Sequence, residues 1–417
     1  MPKIAVIGAG ISGVTTAYAL LESGYEVLVL DRHRYPAMET SFANGGQLSA
    51  SNAEVWNNAA TIIKAMRWML RRDAPLLLNP LPDWHKVSWL AEFLWSIRRY
   101  RENTIDTVRL AIASRQRLLA IADREKLSFD LERRGILHIY HDKPSFQSGL
   151  KVNELLVSGG LERYPVTPAE ISEIEPALRA KYYGGFYTPS DATGDIHKFT
   201  RQLAAICLGR GCQFVQEAHL ESVGFAGKKI DILWKSVASE AGTLSNGSSI
   251  EVDGIVVCAG VESRRIASML GDRVNVYPVK GYSITVYLDD PQSVNSAPQV
   301  SLLDEAAKIV TSRLGPDRFR VAGTAEINGY NRDIRADRIR PLEEWVRTNF
   351  PGINTSRICP WAGLRPMMPN MMPVVRAGRR RGVIYNTGHG HLGWTLSAAT
   401  ADLVTALVQA SFKNISV

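Results

Sequence analysis

Four consecutive apolar residues, Ile4-Ala5-Val6-Ile7, read as a short strand buried on both faces, as in a parallel sheet. Gly8, Gly10 and Gly13 follow at once, and so many glycines argue against a continuous helix from the N-terminus. Residues 14–23 read as a helix closed by Gly24, and Glu26-Val-Leu-Val-Leu30 as a second strand that ends on Asp31. Together these form one βαβ opening unit.

Further along, residues from about 55 to 126 read as mainly helical, and 131–140 and 184–188 as strands. A helix over 197–209 leads into the strand 213–215. Residues 220–234 form a hairpin around Gly227, with a further strand near Ile250. Ile255-Val-Val-Cys258 is another buried strand, ended by Ala259-Gly260. Residues 274–321 are strand-rich, and 383–386 give a last strand before a helix over 395–410. The fold class is α/β (α+β overall): a Rossmann-like dinucleotide-binding domain assembled from discontinuous segments, plus an antiparallel-sheet substrate domain with helices. The first domain is assigned 1–55, 185–270 and 356–417, the second 56–184 and 271–355.

Composition changes this picture little. The chain has 417 residues, 45% of them hydrophobic, enough for a sizeable core and unlike a disordered chain. A net charge of +8 suits nucleic acid, an anionic membrane surface or acidic substrates, but the charge is widely spread. No nucleic-acid-binding motif accompanies it, so no nucleic-acid partner is expected. The four cysteines form no C-x-x-C pair and fit a reducing, cytoplasmic compartment. Residues 4–21 carry no charge and mimic a membrane span, but the glycines break that reading.

Between a strand and a helix, Gly8-x-Gly10-x-x-Gly13 carries chemistry. Gly8 permits a tight turn, Gly10 admits a pyrophosphate to the backbone at Ile11 and Ser12, and Gly13 allows close helix packing. Asp31 is placed to accept hydrogen bonds from ribose hydroxyls. Arg32 beside it is compatible with a 2′-phosphate or with plain solvation. Two more turns favour FAD over NAD: Cys258-Ala259-Gly260, and the C-terminal series Gly388, His389, Gly390, His391, Leu392, Gly393, Trp394 and Thr395, whose N–H groups suit a flavin edge. Val223, on the hairpin, is grouped with the cofactor contacts.

Residues 39–48, 63–69 and 74–76, Asp191-Ala-Thr-Gly-Asp195, Pro278-Val-Lys-Gly-Tyr-Ser283, Trp361-Ala-Gly-Leu-Arg-Pro366 and residues 386–395 occur in an order that resembles the bacterial D-amino acid dehydrogenases, within the glycine oxidase and D-amino acid oxidase group. The resemblance implies non-covalent FAD. It implies hydride transfer from Cα of a D-amino acid to flavin N5, and hydrolysis of the imino acid to a 2-oxo acid and ammonia. Electrons then pass to a quinone or another acceptor rather than to oxygen. Ser41, Asn44, Gly46, Gln47 and Leu48 match the loop that wraps the cofactor, and Arg365 the arginine that clamps the substrate carboxylate. A guanidinium suits that task because it forms two parallel hydrogen bonds to a carboxylate.

Other readings stand beside this one. Arg365 is also compatible with a structural salt bridge. Tyr282 and Lys308 fall on strands that the family places around the substrate, or serve the framework. His391 is assigned to the flavin or substrate, and the His389-x-His391 pair lacks a third ligand, so no metal is expected. Ala307, where the family often has an aromatic residue, implies a larger pocket, and Pro369-Asn-Met371 also departs from the family pattern. Cyclic or secondary amines such as D-hydroxyproline, sarcosine, glycine or opines are therefore alternative substrates. An oxidase of the same fold and a flavin-bearing structural subunit are further alternatives. Trp56, Trp68, Trp84, Trp89 and Trp95 stand among Lys64, Arg67, Arg71, Arg72, Lys86, Arg98, Arg99 and Arg101, a composition that suits peripheral contact with the inner face of the cytoplasmic membrane or simple helix packing.

Overall fold

A computed structural model describes residues 1–58, 75–236 and 247–413. The opening unit forms as expected: strand Lys3–Ile7, helix Ile11–Glu22, strand Glu26–Leu30. The helix starts three residues earlier than expected, at Ile11, because Gly10 takes the extended conformation that precedes a first turn.

These strands belong to a six-stranded sheet in the order Val374–Ala377, Val383–Thr387, Gly254–Val257, Lys3–Ile7, Glu26–Leu30, Gln213–Val215. All pairs are parallel except the first. Period-two alternation divides its side chains between two cores. Ile4, Val6, Val27, Val29 and Val256 face the helices Ile11–Glu22, Ile196–Gly209 and Gly393–Lys413. Ala5, Ile7, Leu28, Leu30 and Val257 face a three-stranded antiparallel sheet, Ala218–Ala226, Lys229–Ser236 and Ser248–Val252. That sheet is the expected hairpin plus its third strand.

A nine-stranded, mainly antiparallel sheet carries the rest. Its longest pairing joins Tyr277–Tyr287 to Ile358–Met367 on one side and to Arg318–Ile327 on the other. Helix Ala336–Asn349 covers it through Ile339, Leu342, Trp345 and Val346. Gly184–Thr188 and Ile358–Met367, expected with the dinucleotide-binding segments, are hydrogen-bonded into this larger sheet instead. Both strands are partnered along their whole length there, and this pairing outweighs their closeness in sequence to the smaller sheet.

Residues 55–126, expected to be mainly helical, contain the strand Leu76–Leu78 before the helices Trp84–Trp95 and Tyr100–Glu125. That strand runs parallel to Arg318–Ile327, a pairing invisible to local periodicity. Trp68, Lys64, Arg67, Arg71 and Arg72 lie outside the described residues. No helix among the described residues is long and apolar enough to cross a membrane.

Candidate functional site

One continuous cavity of about 440 Å³ runs from the C-terminal edge of the six-stranded sheet to the larger sheet. Ligands of open α/β sheets bind at such an edge. Gly8, Gly10, Ile11, Ser12, Asp31, Arg32, Ser41, Asn44, Gly46, Gln47, Cys258, Ala259, Gly260, His389, His391, Leu392, Gly393, Trp394 and Thr395 all line it, together with Arg365, Tyr282 and Lys308. Gly13, Leu48, Val223 and Gly388 do not.

The three glycines of the first turn divide their tasks as expected. Gly8 has φ +109°, and a Cβ there would sit 2.6 Å from Cys258 O. At Gly13 a Cβ would sit 1.8 Å from Gly8 O, so this glycine serves helix packing alone. A Cβ on Gly10 would meet only Ser41 Oγ, at 3.5 Å, and would otherwise project into the cavity. That opening lies over the N-terminus of helix Ile11–Glu22, where backbone N–H groups would favour an anion.

Asp31 Oδ2 accepts from Ala9 N at 2.6 Å and Oδ1 from His33 N at 2.8 Å. Burial raises its carboxyl pKa despite these two bonds. Arg32 does not stand free for a 2′-phosphate: it pairs with Glu39 at 2.5 Å and Glu262 at 3.1 Å. Burial opposes ionisation of Glu39, but His33, Arg332 and Arg32 outweigh it and hold the carboxyl well below the usual range. On the hairpin, Ala218, His219 and Leu220 face the cavity, whereas Val223 packs on the core beneath the three-stranded sheet. A β-bulge between Leu220 and Ser222 shifts the register, which local sequence does not announce.

The loop from Ser41 to Leu48 is held from two sides. Ser41 Oγ accepts from Ile11 N at 3.0 Å. Ser283, Arg320 and Ser312, all on the larger sheet, donate to the carbonyls of Ala43, Asn44 and Gly45 at 2.8, 3.0 and 2.7 Å. Leu48 is fully buried in the core. The next residues are anchored by Asp191, which accepts from Ala50 N at 2.9 Å and Ser51 N at 3.1 Å and pairs with buried Arg115.

At the C-terminal turn, Gly388 packs on Met368 rather than lining the cavity. His389 bridges Ser12 Oγ at 3.4 Å and Thr400 Oγ1 at 3.0 Å. His391 Nε2 donates to Asn52 O at 3.1 Å, and its ring stacks on Trp56. Burial lowers both imidazole pKa values to about 4, so both rings are neutral. Neither joins a cluster of three or more metal-ligating side chains among the described residues. His391 Nδ1, Trp394 Nε1, Thr324 Oγ1 and Asn386 Oδ1 are buried cavity-lining atoms without a hydrogen-bond partner among the described residues. Buried polar atoms are rarely left so, and a polar cofactor or substrate would satisfy them.

Arg365 projects from strand Ile358–Met367 with no carboxylate partner among the described residues. Nη1 donates to Thr324 O at 3.3 Å, and burial lowers the guanidinium pKa to about 10. The salt-bridge alternative is therefore not what the structure contains. Tyr282 is committed elsewhere: its hydroxyl donates to Glu326 Oε2 at 2.6 Å, beside the Lys280–Glu326 pair. Lys308 pairs with Glu305 at 2.5 Å. Ala307 packs on the core of the larger sheet and does not line the cavity. The sequence reading missed Glu54, His138, Tyr140, Arg163 and Glu305, which form the far wall.

The tryptophans divide. Trp56 lines the cavity, and Trp89 is buried with Nε1 donating to Met367 O at 2.8 Å. Trp84 and Trp95 are 79% and 66% exposed, beside exposed Leu81, Val87 and Leu94.

Residues 3–407 match the family model described as FAD dependent oxidoreductase (DAO). The chain is 62% identical to "D-amino acid dehydrogenase 3" of Mesorhizobium japonicum, over 98% of this chain and 97% of that one. It is 40% identical to a D-amino acid dehydrogenase of Paramagnetospirillum magneticum, over 97% and 94%. Among solved structures, glycine oxidase from Geobacillus kaustophilus superposes with a TM-score of 0.76 at 18% identity, over 98% of this chain and 95% of that one. At that identity the likeness speaks for the fold. The glycine cradle, the C-terminal turn and the extent of these matches agree that the chain belongs to the DAO family of FAD-dependent oxidoreductases.

Proposed function

We propose that the protein oxidises a D-amino acid at its Cα–N bond as an FAD-dependent dehydrogenase, yielding an imino acid that water hydrolyses to a 2-oxo acid and ammonia. The observation that carries this reading is Arg365, a half-buried guanidinium facing the cavity with no carboxylate partner among the described residues. An unpaired cation in a partly desolvated cavity is costly, and a substrate carboxylate would supply its counter-charge. Gly281 lies directly beneath the guanidinium and leaves it room to lie flat. The names of the two relatives support the choice of a D-amino acid.

Bound FAD supplies the acceptor for the two electrons that leave Cα. Gly10, Ile11 and Ser12 would receive its pyrophosphate, Asp31 its ribose, and residues 389–395 its ring system. The protein's own contribution is orientation. Arg365 fixes the carboxylate, and the neutral His391, pinned by Asn52 and Trp56, forms a rigid wall next to it. The amine must be neutral for its lone pair to assist loss of hydride.

A quinone or another non-oxygen compound is the proposed electron acceptor. The exposed Trp84, Trp95, Leu81, Val87 and Leu94, with Arg98 stacked over Trp95 at 3.9 Å, support peripheral contact with the cytoplasmic membrane. Anaerobic bleaching of the flavin by D- but not L-amino acids tests the reaction. Release of peroxide stoichiometric with substrate would contradict the dehydrogenase reading.

A further inference from the structure

Asn52, Glu54, Val55 and Trp56 line the cavity, and Ala53 among them is fully buried. Glu54 thus faces the same cavity as Asn52 and Trp56. Both neighbours hold His391, Asn52 through its carbonyl and Trp56 through ring stacking at 5.0 Å. Glu54 therefore stands in the cavity close to His391.

Glu54 Oε1 accepts from Tyr100 Oη at 2.7 Å and from Asn58 Nδ2 at 3.1 Å. Oε2 has no hydrogen-bond or ion-pair partner among the described residues. Neither cation on the same wall pairs with Glu54. Lys308 pairs with Glu305, and Arg163 donates to Asn153 Oδ1 at 3.0 Å while lying over Phe186. Burial raises the Glu54 carboxyl pKa. The two acids and two cations on this wall carry no net formal charge. A neutral hydrogen-bond donor fits this setting: it meets the open carboxylate oxygen without adding a charge beside Lys308 and Arg163.

We propose that Glu54 is a specificity residue that accepts a hydrogen bond from a hydroxyl on the substrate's side chain or ring. The enzyme then selects hydroxylated D-amino or D-imino acids over their unsubstituted counterparts. This rests on the amino-acid reading above. A hydrogen bond to a charged acceptor, lost when the substrate lacks its hydroxyl, corresponds to roughly tenfold or more in kcat/KM.

The test is anaerobic flavin reduction by two matched pairs, D-serine against D-alanine and 4-hydroxy-D-proline against D-proline. It uses the wild-type holoenzyme, Glu54→Leu and Glu54→Gln. The expected result is a preference of about tenfold or more for the hydroxylated member of at least one pair, a ratio near unity in Glu54→Leu, and an intermediate ratio in Glu54→Gln. The inference is overturned if wild type shows no preference in either pair, if the preference survives in Glu54→Leu, or if both members fall alike and the ratio stays unchanged. Should Glu54→Leu not fold, as judged by flavin content, the wild-type ratio and Glu54→Gln decide. Bleaching without preference refutes the subsite alone, and no bleaching by any of the four compounds refutes it too, whereas no bleaching by any member of a wider D-amino acid panel refutes the amino-acid reading.

Discussion

Arg365 lies against Gly281 so closely that a Cβ at position 281 would stand 2.3 Å from Arg365 Nη2. The two residues sit two register positions apart on adjacent antiparallel strands, since Gly281 pairs with Gly363 and Val279 with Arg365. The atom in the way is the end of a flexible side chain, so Gly281→Ala should displace the guanidinium and leave the sheet intact. The expected outcome is a rise in KM of about ten- to a hundredfold with flavin content and Tm near wild type. Steady-state kinetics with a dye acceptor, beside a thermal melt, check this; an unchanged KM would separate Arg365 from substrate binding.

Gly10 and Gly13 belong to one motif but should fail differently. At Gly10, φ is −72° and a Cβ clashes with nothing in the protein, so Gly10→Ala should fold and lose flavin. Gly13→Ala should damage the fold itself, because its Cβ would meet the Gly8 carbonyl. The flavin-to-protein ratio after gel filtration, with circular dichroism of both variants, separates the outcomes.

How far the sequence discloses such a site depends on whether a residue's task is local. The glycine turn was legible because strand, turn and helix are contiguous, and Asp31 because it closes the next strand. The Gly388–Thr395 turn was legible for the same reason, although Gly388 proves to pack on Met368. Val223 lies beyond a bulge that only pairing with the neighbouring strand reveals, and it packs on the core of the three-stranded sheet. Tyr282 was ambiguous until its partner Glu326, on another strand, came into view. Glu54 and Arg163 were missed because their wall is made by residues far apart in the chain, brought together by the larger sheet and the Tyr100–Glu125 helix.

Acid should destabilise the protein through His389. Its folded pKa lies near 4, lowered by burial, against about 6.5 when unfolded. Between these values the unfolded chain binds more protons, so stability rises with pH there. The contribution is complete above pH 6.5 and is lost as pH falls to about 4; fully realised it is on the order of 3 kcal/mol. Denaturant melts of wild type and His389→Gln from pH 7 to pH 4.5 should show a shallower decline in the variant. Parallel declines would contradict the assignment.

Replacing Trp84 and Trp95 together by Ser should weaken co-sedimentation with anionic vesicles several-fold. Turnover with a soluble dye should stay the same, because both side chains point away from the cavity. Unaltered vesicle binding would leave packing as the role of this segment.

Arg365 carries the functional reading, and its charge is the simplest thing to remove. Flavin bleaching should be followed anaerobically in wild type and Arg365→Leu against a panel of D- and L-amino acids. The account predicts bleaching of the wild-type flavin by D-amino acids alone, and a loss of about a hundredfold or more in kcat/KM in the flavin-replete variant. Bleaching by L-amino acids only, or D-amino acid oxidation undiminished in Arg365→Leu, would contradict it.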